Sequence, residues 1–159
     1  MTFRTALLLA CGLATAAAAL PAQAAEQNLE FTLVTHLIDF KDLKAPNVEG
    51  RSLFAANAFG VAFFKDGRVA AKDFVADGEF ANGESHEHGL STYSFTDGST
   101  LSLSYVGEFK DGRYHGDYTV LSGTGIYANA TGEGVFDSQP TKWKSSAFLF
   151  SVKLNVKTP

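Results

Sequence analysis

The chain has 159 residues, with 13 lysine and arginine residues against 17 aspartate and glutamate residues, and a formal net charge of −4. Nucleic-acid-binding proteins concentrate basic residues on one face. This sequence has no basic cluster, so we expect no nucleic-acid partner. Its one cysteine, Cys11, lies near the N-terminus, so the rest of the chain depends on packing and not on disulfides.

The N-terminal segment has the pattern of a secretory signal peptide. Arg4 precedes the apolar run ALLLACGLATAAAAL, and Ala22-Gln23-Ala24 supplies a small-residue cleavage site. The run is shorter than the roughly 20 residues that span a bilayer core, and Pro21 follows it, so we expect no membrane span. We therefore predict a signal peptide over 1–24, cleaved near Ala24, one domain over 25–159, and a secreted or periplasmic protein.

The remaining chain alternates apolar and polar residues at period two, as half-buried β-strands do. The last run, AFLFSVKLNVK, shows this most clearly, because Phe, Val and Leu alternate there with Ser, Lys and Asn. Runs of this kind predict eight strands, near 28–37, 52–64, 68–80, 87–96, 99–109, 113–122, 130–137 and 145–157.

Three Asp-Gly pairs separate these runs: Asp66-Gly67, Asp97-Gly98 and Asp111-Gly112. Asp-Gly is a strong hairpin signal because both residues tolerate a positive φ. Hairpins joining successive strands predict an all-β, eight-stranded antiparallel up-and-down barrel of calycin type. A barrel of this size holds either packed side chains or one small ligand.

The stretch GTGIYA, from Gly123 to Ala128, satisfies the dinucleotide fingerprint G-x-G-x-x-G/A. The fingerprint requires a helix that starts inside the motif, whereas Gly132 and Gly134 follow here and disfavour helix propagation. We therefore interpret these glycines as structural, in a sharp connection between two strands where a Cβ is excluded.

The segment TYSFTDGSTLSLSYVGEFKDGRYHGDYTVLSGTGIYANATGEGVF, from Thr92 to Phe136, resembles the second half of allene oxide cyclase-like and dirigent-like barrels. Those barrels carry a Tyr-Ser-Phe strand, a Gly-containing hairpin and a Gly-[TS]-Gly-x-[FY] segment. PTKWKSSAFLFSVKL resembles the last strand of the family. The resemblance implies an eight-stranded barrel around an apolar cavity, often within an oligomer, and no cofactor.

The resemblance also implies what the barrel acts on. The family cyclises an unsaturated fatty-acid epoxide or steers phenolic radicals, and in both cases the protein mainly shapes a bound ligand. In the cyclase, an asparagine on the second strand holds a water and a carboxylate on the first strand acts on the epoxide. Asn57 matches the asparagine, whereas Thr35 lies near the place of the carboxylate and Glu30 lies on the polar face of its strand.

Four polar residues share strand faces with apolar ones and are the candidate ligand-binding residues: Asn57, Tyr93, Tyr105 and Tyr118. A polar group on a buried face must be hydrogen-bonded or must border a cavity. One interpretation packs the tyrosines in a filled core; the other places them, with Asn57, around a lipophilic ligand.

His86 and His88 lie two residues apart in GESHEHG and would share one face of a strand. Such a pair can contribute to a metal site, together with Glu84 or His115. Two histidines alone leave the site incomplete, so the interpretation we adopt is an exposed polar turn without a metal.

These observations predict a barrel whose cavity binds a small hydrophobic molecule. The first alternative is an isomerase or cyclase acting on an unsaturated lipophilic substrate, which requires an ionisable group facing the cavity. The second is a barrel with a filled interior that assembles into a homo-oligomer. The acidic residues in the middle of the chain could supply the ionisable group, but their strand parity does not show which of them points inward: Asp73, Asp77, Glu79 and Glu84.

Overall fold

The computed structural model describes residues 25–143 and 146–159, so the predicted signal peptide lies outside the described residues. Eight strands form in chain order: β1 Ala25–Lys44, β2 Arg51–Phe64, β3 Val69–Ala81, β4 Glu84–Phe95, β5 Thr100–Lys110, β6 Arg113–Thr124, β7 Thr131–Gln139 and β8 Ala147–Thr158. Each strand pairs antiparallel with the next, and β8 pairs with β1 to close the sheet. The predicted all-β, eight-stranded up-and-down barrel is confirmed.

The period-two pattern sorts side chains between the barrel interior and its outer surface. On β8, Val152, Leu154 and Val156 are buried, while Ser151 and Lys153, which alternate with them, are exposed. The same alternation operates on the other strands, so the core is one cluster inside the barrel.

Strand β1 is longer than its apolar pattern predicted. Its pairing with β2 shifts between Leu37 and Asp39, and an irregularity of this kind redirects the side chains that follow it. Beyond the shift, the ring of Phe40 stacks on Phe54 at 5.6 Å between centroids. The end of β1 thereby adds an aromatic ring to one end of the barrel.

The three Asp-Gly pairs lie at hairpins, as predicted. Asp111 and Gly112 both have positive φ, 49° and 76°. At the other two hairpins the aspartate carboxylate accepts a backbone N–H, from Arg68 at 3.1 Å and from Ser99 at 2.9 Å. A fourth hairpin, between β3 and β4, uses Asn82 and Gly83.

The two ends of the barrel differ. The β2–β3, β4–β5 and β6–β7 connections lie at one end, where the 3-10 helix Gly125–Tyr127 turns into the barrel and buries Tyr127 completely. We call this the plugged end. The opposite end carries the β1–β2, β3–β4, β5–β6 and β7–β8 connections, and we call it the mouth.

The glycine-rich stretch is therefore structural. At Gly123, a Cβ would lie 2.4 Å from the backbone oxygen of Tyr127, and at Gly132 a Cβ would lie 2.0 Å from that of Asn155. The fingerprint residues let the chain fold tightly over the barrel end. They precede a single helical turn that ends at Tyr127, and not the long helix that a dinucleotide site requires.

Within residues 25–143 and 146–159, no helix has the length and apolar character needed to span a bilayer.

Candidate functional site

A cavity occupies the mouth half of the barrel, with a free volume of about 80 Å³. Its walls are mostly aromatic and aliphatic, with two charged side chains among them. The lining residues are Leu33, Thr35, Leu37, Phe40, Phe54, Ala56, Lys72, Phe74, Ala76, Phe80, Glu87, Tyr105, Tyr114, Tyr118, Phe136, Phe148 and Phe150. Drug-sized ligands occupy pockets of about 300–1,000 Å³, so a ligand here must be small or must displace side chains.

The outer wall of the cavity contains the side chains best placed to move. Phe40 is 43% exposed, and it contacts Phe54 and Phe80, whose own rings lie 4.8 Å apart between centroids. These rings surround the mouth on β1, β2 and β3. Rotation of Phe40 would widen the entrance without disturbing the plugged end.

Lys72 is the most unusual residue of the interior. It lies on β3 between Ala70 and Phe74 on the inward face and is only 3% exposed. Its Nζ donates a hydrogen bond of 2.8 Å to Tyr118 Oη on β6. The same nitrogen lies over four aromatic rings, at 4.4 Å from the centroid of Phe74 and 5.1–5.4 Å from those of Tyr93, Tyr105 and Tyr118.

These rings explain how a lysine is tolerated here. Burying a charge without partners is costly, and the faces of aromatic rings attract a cation within about 6 Å of the centroid. Aromatic faces stabilise the charge but do not replace the hydrogen bonds that water would accept.

Glu87, on β4, is the second charged residue of the cavity wall. Burial raises the pKa of its carboxyl, and the nearby Lys72 opposes that rise. Burial likewise raises the pKa of Tyr105, and it raises the pKa of Tyr114 to about 12, with the Glu87 charge contributing to both. The tyrosines therefore keep their protons at neutral pH and are available as hydrogen-bond donors.

Two further buried hydroxyls lie on the inward face of β4. Tyr93 is 1% exposed. Burial is the main cause that raises the pKa of its hydroxyl, and the neighbouring Tyr118 hydroxyl is the second. Ser91 Oγ, on the same face of β4, is buried without a hydrogen-bond partner among the described residues. A lysine, a glutamate, tyrosines and a serine thus meet in an otherwise apolar interior.

The plugged end is closed by a separate aromatic cluster. Tyr127 packs on Phe95 at 5.0 Å between centroids, and its hydroxyl accepts a hydrogen bond from Arg68 Nη1. The Arg68 guanidinium also lies over the rings of Phe64 and Phe95, at 5.5 and 5.7 Å. These contacts close the plugged end of the barrel beneath the cavity.

Solved structures share this architecture. A pterocarpan synthase dirigent protein superposes with a TM-score of 0.59 at 14% identity, covering 85% of this chain and 91% of its own. A protein of unknown function from the DUF3224 family of Shewanella oneidensis MR-1 superposes with a TM-score of 0.51 at 12% identity, covering 83% and 96%. The chain has the dirigent-type barrel fold. At these identities the likeness concerns the fold.

Comparison of the sequence with protein-family models gave no match, and comparison with curated proteins gave none either.

In this dirigent-type barrel the three predicted tyrosines all point inward. Tyr105 and Tyr118 line the cavity, and their rings meet at 5.8 Å between centroids. Tyr93 lies beneath Lys72 at the base. All three are buried, and their predicted role in ligand binding stays a prediction.

Asn57 requires a correction. It is exposed on the outer surface of β2, on the same face as Phe59 and Phe63. The inward face of β2 instead carries Phe54 and small residues such as Ala58. Both faces of this strand are apolar, so the alternation did not show which one points inward.

Thr35 is buried and lines the cavity, whereas Glu30 lies on the outside and pairs with Lys65. Near the position that the resemblance gives to the cyclase carboxylate, this chain therefore has the hydroxyl of Thr35. The inward carboxylate of this barrel is Glu87 on β4.

Sequence reasoning missed Lys72 and Glu87. The signal was present: Lys72 alternates with Ala70 and Phe74, and Glu87 has the same parity as Tyr93. Charged residues in strands usually face solvent, so strand parity alone does not distinguish these two from the exposed charged residues.

His86 and His88 lie on strand β4 and not in a turn, which corrects the predicted polar turn, and both side chains are exposed. His86 Nδ1 lies 3.9 Å from a Glu108 oxygen, and His88 Nε2 lies 3.1 Å from an Asp77 oxygen. Among residues 25–143 and 146–159, no three or more His, Cys, Asp or Glu side chains converge as a metal site would require.

Proposed function

We propose that this barrel binds a small hydrophobic molecule in the cavity at its mouth. The observation that carries the proposal is an aromatic cavity with a buried lysine and tyrosine at its base. Binding sites for small molecules are typically apolar cavities with a few placed polar groups that fix orientation. The free volume of about 80 Å³ restricts the ligand to a compact molecule, such as one with a single aromatic ring.

The affinity would come mainly from burial of apolar surface against the rings of the wall, at roughly 25 cal/mol per Å² removed from water. Phe40 would move to admit the ligand and then close over it. Lys72 and Tyr118 would determine which end of the ligand enters first.

The proposed setting is a secretory compartment, because the pattern of residues 1–24 is that of a signal peptide. Sequencing the N-terminus of the mature protein tests this: a start near residue 25 is expected, and an intact Met1 would contradict it.

The binding proposal is tested by titrating the protein with three compact aromatic probes: ethylbenzene, 4-ethylbenzamide and 4-ethylbenzoate. Protein NMR spectra should show shifts of cavity resonances with at least one of them. The variant Ala76→Leu fills the cavity from its wall and should abolish those shifts. The matched control, Ala55→Leu, adds the same atoms to the exposed outer face of β2 and should leave them unchanged.

The proposal is wrong if none of the probes shifts cavity resonances in the wild-type protein. It is equally wrong if Ala76→Leu and Ala55→Leu have the same effect.

A second candidate function is an isomerase or cyclase acting in the same cavity, and Glu87 favours it. A carboxyl with a raised pKa that faces an apolar cavity is suited to accept a proton from a bound substrate and return it. Unsaturated epoxides and polyenes are the substrates to test. Turnover that disappears in Glu87→Gln would support this function, and absence of turnover at high enzyme concentration would exclude it for those substrates.

A further inference from the structure

Lys72 makes fewer hydrogen bonds than its ammonium group can donate. A lysine ammonium has three donors, and Nζ uses one of them on Tyr118 Oη. Across residues 25–143 and 146–159, no acidic side chain lies within the 4.0 Å of an ion pair from this nitrogen. The Lys72 side chain is only 3% exposed, so water does not readily reach its remaining N–H donors. A ligand in the cavity is the available acceptor for them.

Tyr118 supplies a second donor at the same place. Its oxygen already accepts a hydrogen bond from Lys72, so its own O–H is directed elsewhere. The neighbouring Tyr93 hydroxyl is buried and has no hydrogen-bond partner among the described residues, so the Tyr118 O–H is not used there. An ammonium N–H and a phenolic O–H, with their heavy atoms 2.8 Å apart, thus present two donors side by side.

The ammonium of Lys72 favours an anion at its end of the cavity. Lys72 and Glu87 are the only charged residues among those that line it. The aromatic faces around Nζ hold the positive charge in place without neutralising it. An ionised acceptor forms shorter and stronger hydrogen bonds with an ammonium than a neutral one does.

We propose that the ligand is a small aromatic carboxylate, with its two carboxylate oxygens on Lys72 Nζ and Tyr118 Oη and its ring between the aromatic walls. This inference rests on the proposed binding function and specifies the chemical class of the ligand. Two oxygens of one carboxylate match two adjacent donors, and a single flat ring matches a narrow cavity walled by Phe74, Tyr105 and Phe136.

The test compares the affinities of the three probes, which differ in their head group. The carboxylate should bind about tenfold or more tightly than the amide of the same shape, because hydrogen bonds to charged groups are the stronger ones. Ethylbenzene, which lacks an acceptor, should bind no better than the amide.

The variant Lys72→Met removes the ammonium and keeps an unbranched apolar side chain. It should remove the preference for the carboxylate by weakening the carboxylate most, the amide less, and ethylbenzene, which has no acceptor for Lys72, least. Lys157→Met makes the same substitution on the exposed face of β8 and is the matched control, which should keep the preference. Tyr118→Phe, which removes one of the two donors, should reduce the preference several-fold.

Equal binding of the carboxylate and the amide to the wild-type protein would overturn the inference, and this comparison does not depend on any variant folding. Retention of the preference in a folded Lys72→Met protein would overturn it as well. In both cases cavity binding, and hence the proposed function, would stand. Failure of all three probes to bind would instead overturn the proposed function.

Discussion

Lys72 and Tyr118 are 46 positions apart in the chain and meet in the centre of the barrel, where Nζ donates to Oη at 2.8 Å. Both residues are at most 3% exposed. They lie on β3 and β6, which are three strands apart around the eight-stranded barrel. The contact therefore crosses the interior and fixes the position of a buried charge.

This contact predicts opposite effects for its two partners on the free energy of unfolding. Tyr118→Phe leaves the buried ammonium without its hydrogen-bond acceptor and should destabilise the protein by about 1–3 kcal/mol. Lys72→Met replaces a buried charge by an apolar side chain and should be neutral or stabilising. Urea unfolding of each variant measures the difference.

Tyr114→Phe is the control for the loss of a tyrosine hydroxyl, since Tyr114 lies at the mouth and makes no hydrogen bond to Lys72. The double variant Lys72→Met with Tyr118→Phe should recover most of the stability lost in Tyr118→Phe. A larger loss for Lys72→Met than for Tyr118→Phe would contradict this account of the core.

Glu87 predicts a dependence of stability on pH. Burial raises the pKa of its carboxyl in the folded state above the ordinary value of 4.5. A group whose folded pKa is raised adds stability below its unfolded pKa and loses it as the pH rises through the folded pKa. Lys72 on β3 opposes this rise in the pKa of Glu87. The Glu87 charge in turn helps to raise the pKa values of Tyr105 and Tyr114, which stay neutral in this range.

Glu87→Gln should therefore be more stable than the wild-type protein at neutral pH and nearly equal to it near pH 4. Urea unfolding of both proteins between pH 4 and 8 checks this. Glu133→Gln, at an exposed position of β7, should give no such trend. A constant difference between wild type and Glu87→Gln across this range would refute the prediction.

Gly125 at the plugged end and Gly112 at the mouth predict a graded cost for alanine. Gly125 has a φ of 59°, and a Cβ there would lie 2.8 Å from Ser99 Cβ, whereas Gly112 has a φ of 76° and open space around it. Gly112→Ala isolates the cost of the left-handed backbone, about 1–2 kcal/mol. Gly125→Ala adds the steric conflict and should cost at least about 1 kcal/mol more.

Thermal or urea unfolding distinguishes the two contributions. Equal losses for the two variants would show that Ser99 moves aside without cost.

The fold was predictable because its signals are local. Alternation at period two defines each strand from its own residues, and Asp-Gly pairs such as Asp111-Gly112 define hairpins from two residues. Eight strands joined by hairpins leave few arrangements other than a closed barrel. The fourth hairpin, at Asn82–Gly83, is equally local.

The site was predictable only in part, because alternation groups residues by face without saying which face is inside. The tyrosines shared faces with residues that are clearly core. On β2, however, the outer face carries Phe59, Val61 and Phe63, and the inner face carries small residues such as Ala58 and Ala62. The narrow interior accepts alanine where the outside accepts phenylalanine, so hydrophobicity alone indicated the wrong face for Asn57.

The burial of Lys72 could not be predicted from the local sequence, for a different reason. Besides Phe74 on its own strand, the groups that make its burial tolerable come from β4, β5 and β6: the rings of Tyr93, Tyr105 and Tyr118. Only the closed sheet brings these residues around one nitrogen.

The outer surface carries a titratable pair whose behaviour is also specified by geometry. His115 Nδ1 and Asp137 Oδ1 lie 2.7 Å apart on neighbouring strands. The hydrogen bond to Asp137, aided by its charge, raises the pKa of His115 above 6.5. Asp137→Asn should lower the pKa of His115 towards its ordinary value, as measured by NMR titration of the imidazole protons.

Because the raised pKa belongs to the folded state, the pair adds stability below pH 6.5 and loses it as the pH rises through the folded pKa of His115. Both side chains are exposed, so the stability change in Asp137→Asn should stay below about 0.5 kcal/mol. Asp117→Asn, which removes a more distant charge, should shift the pKa of His115 less. If the two variants shift it equally, the hydrogen bond to Asp137 is not the main cause.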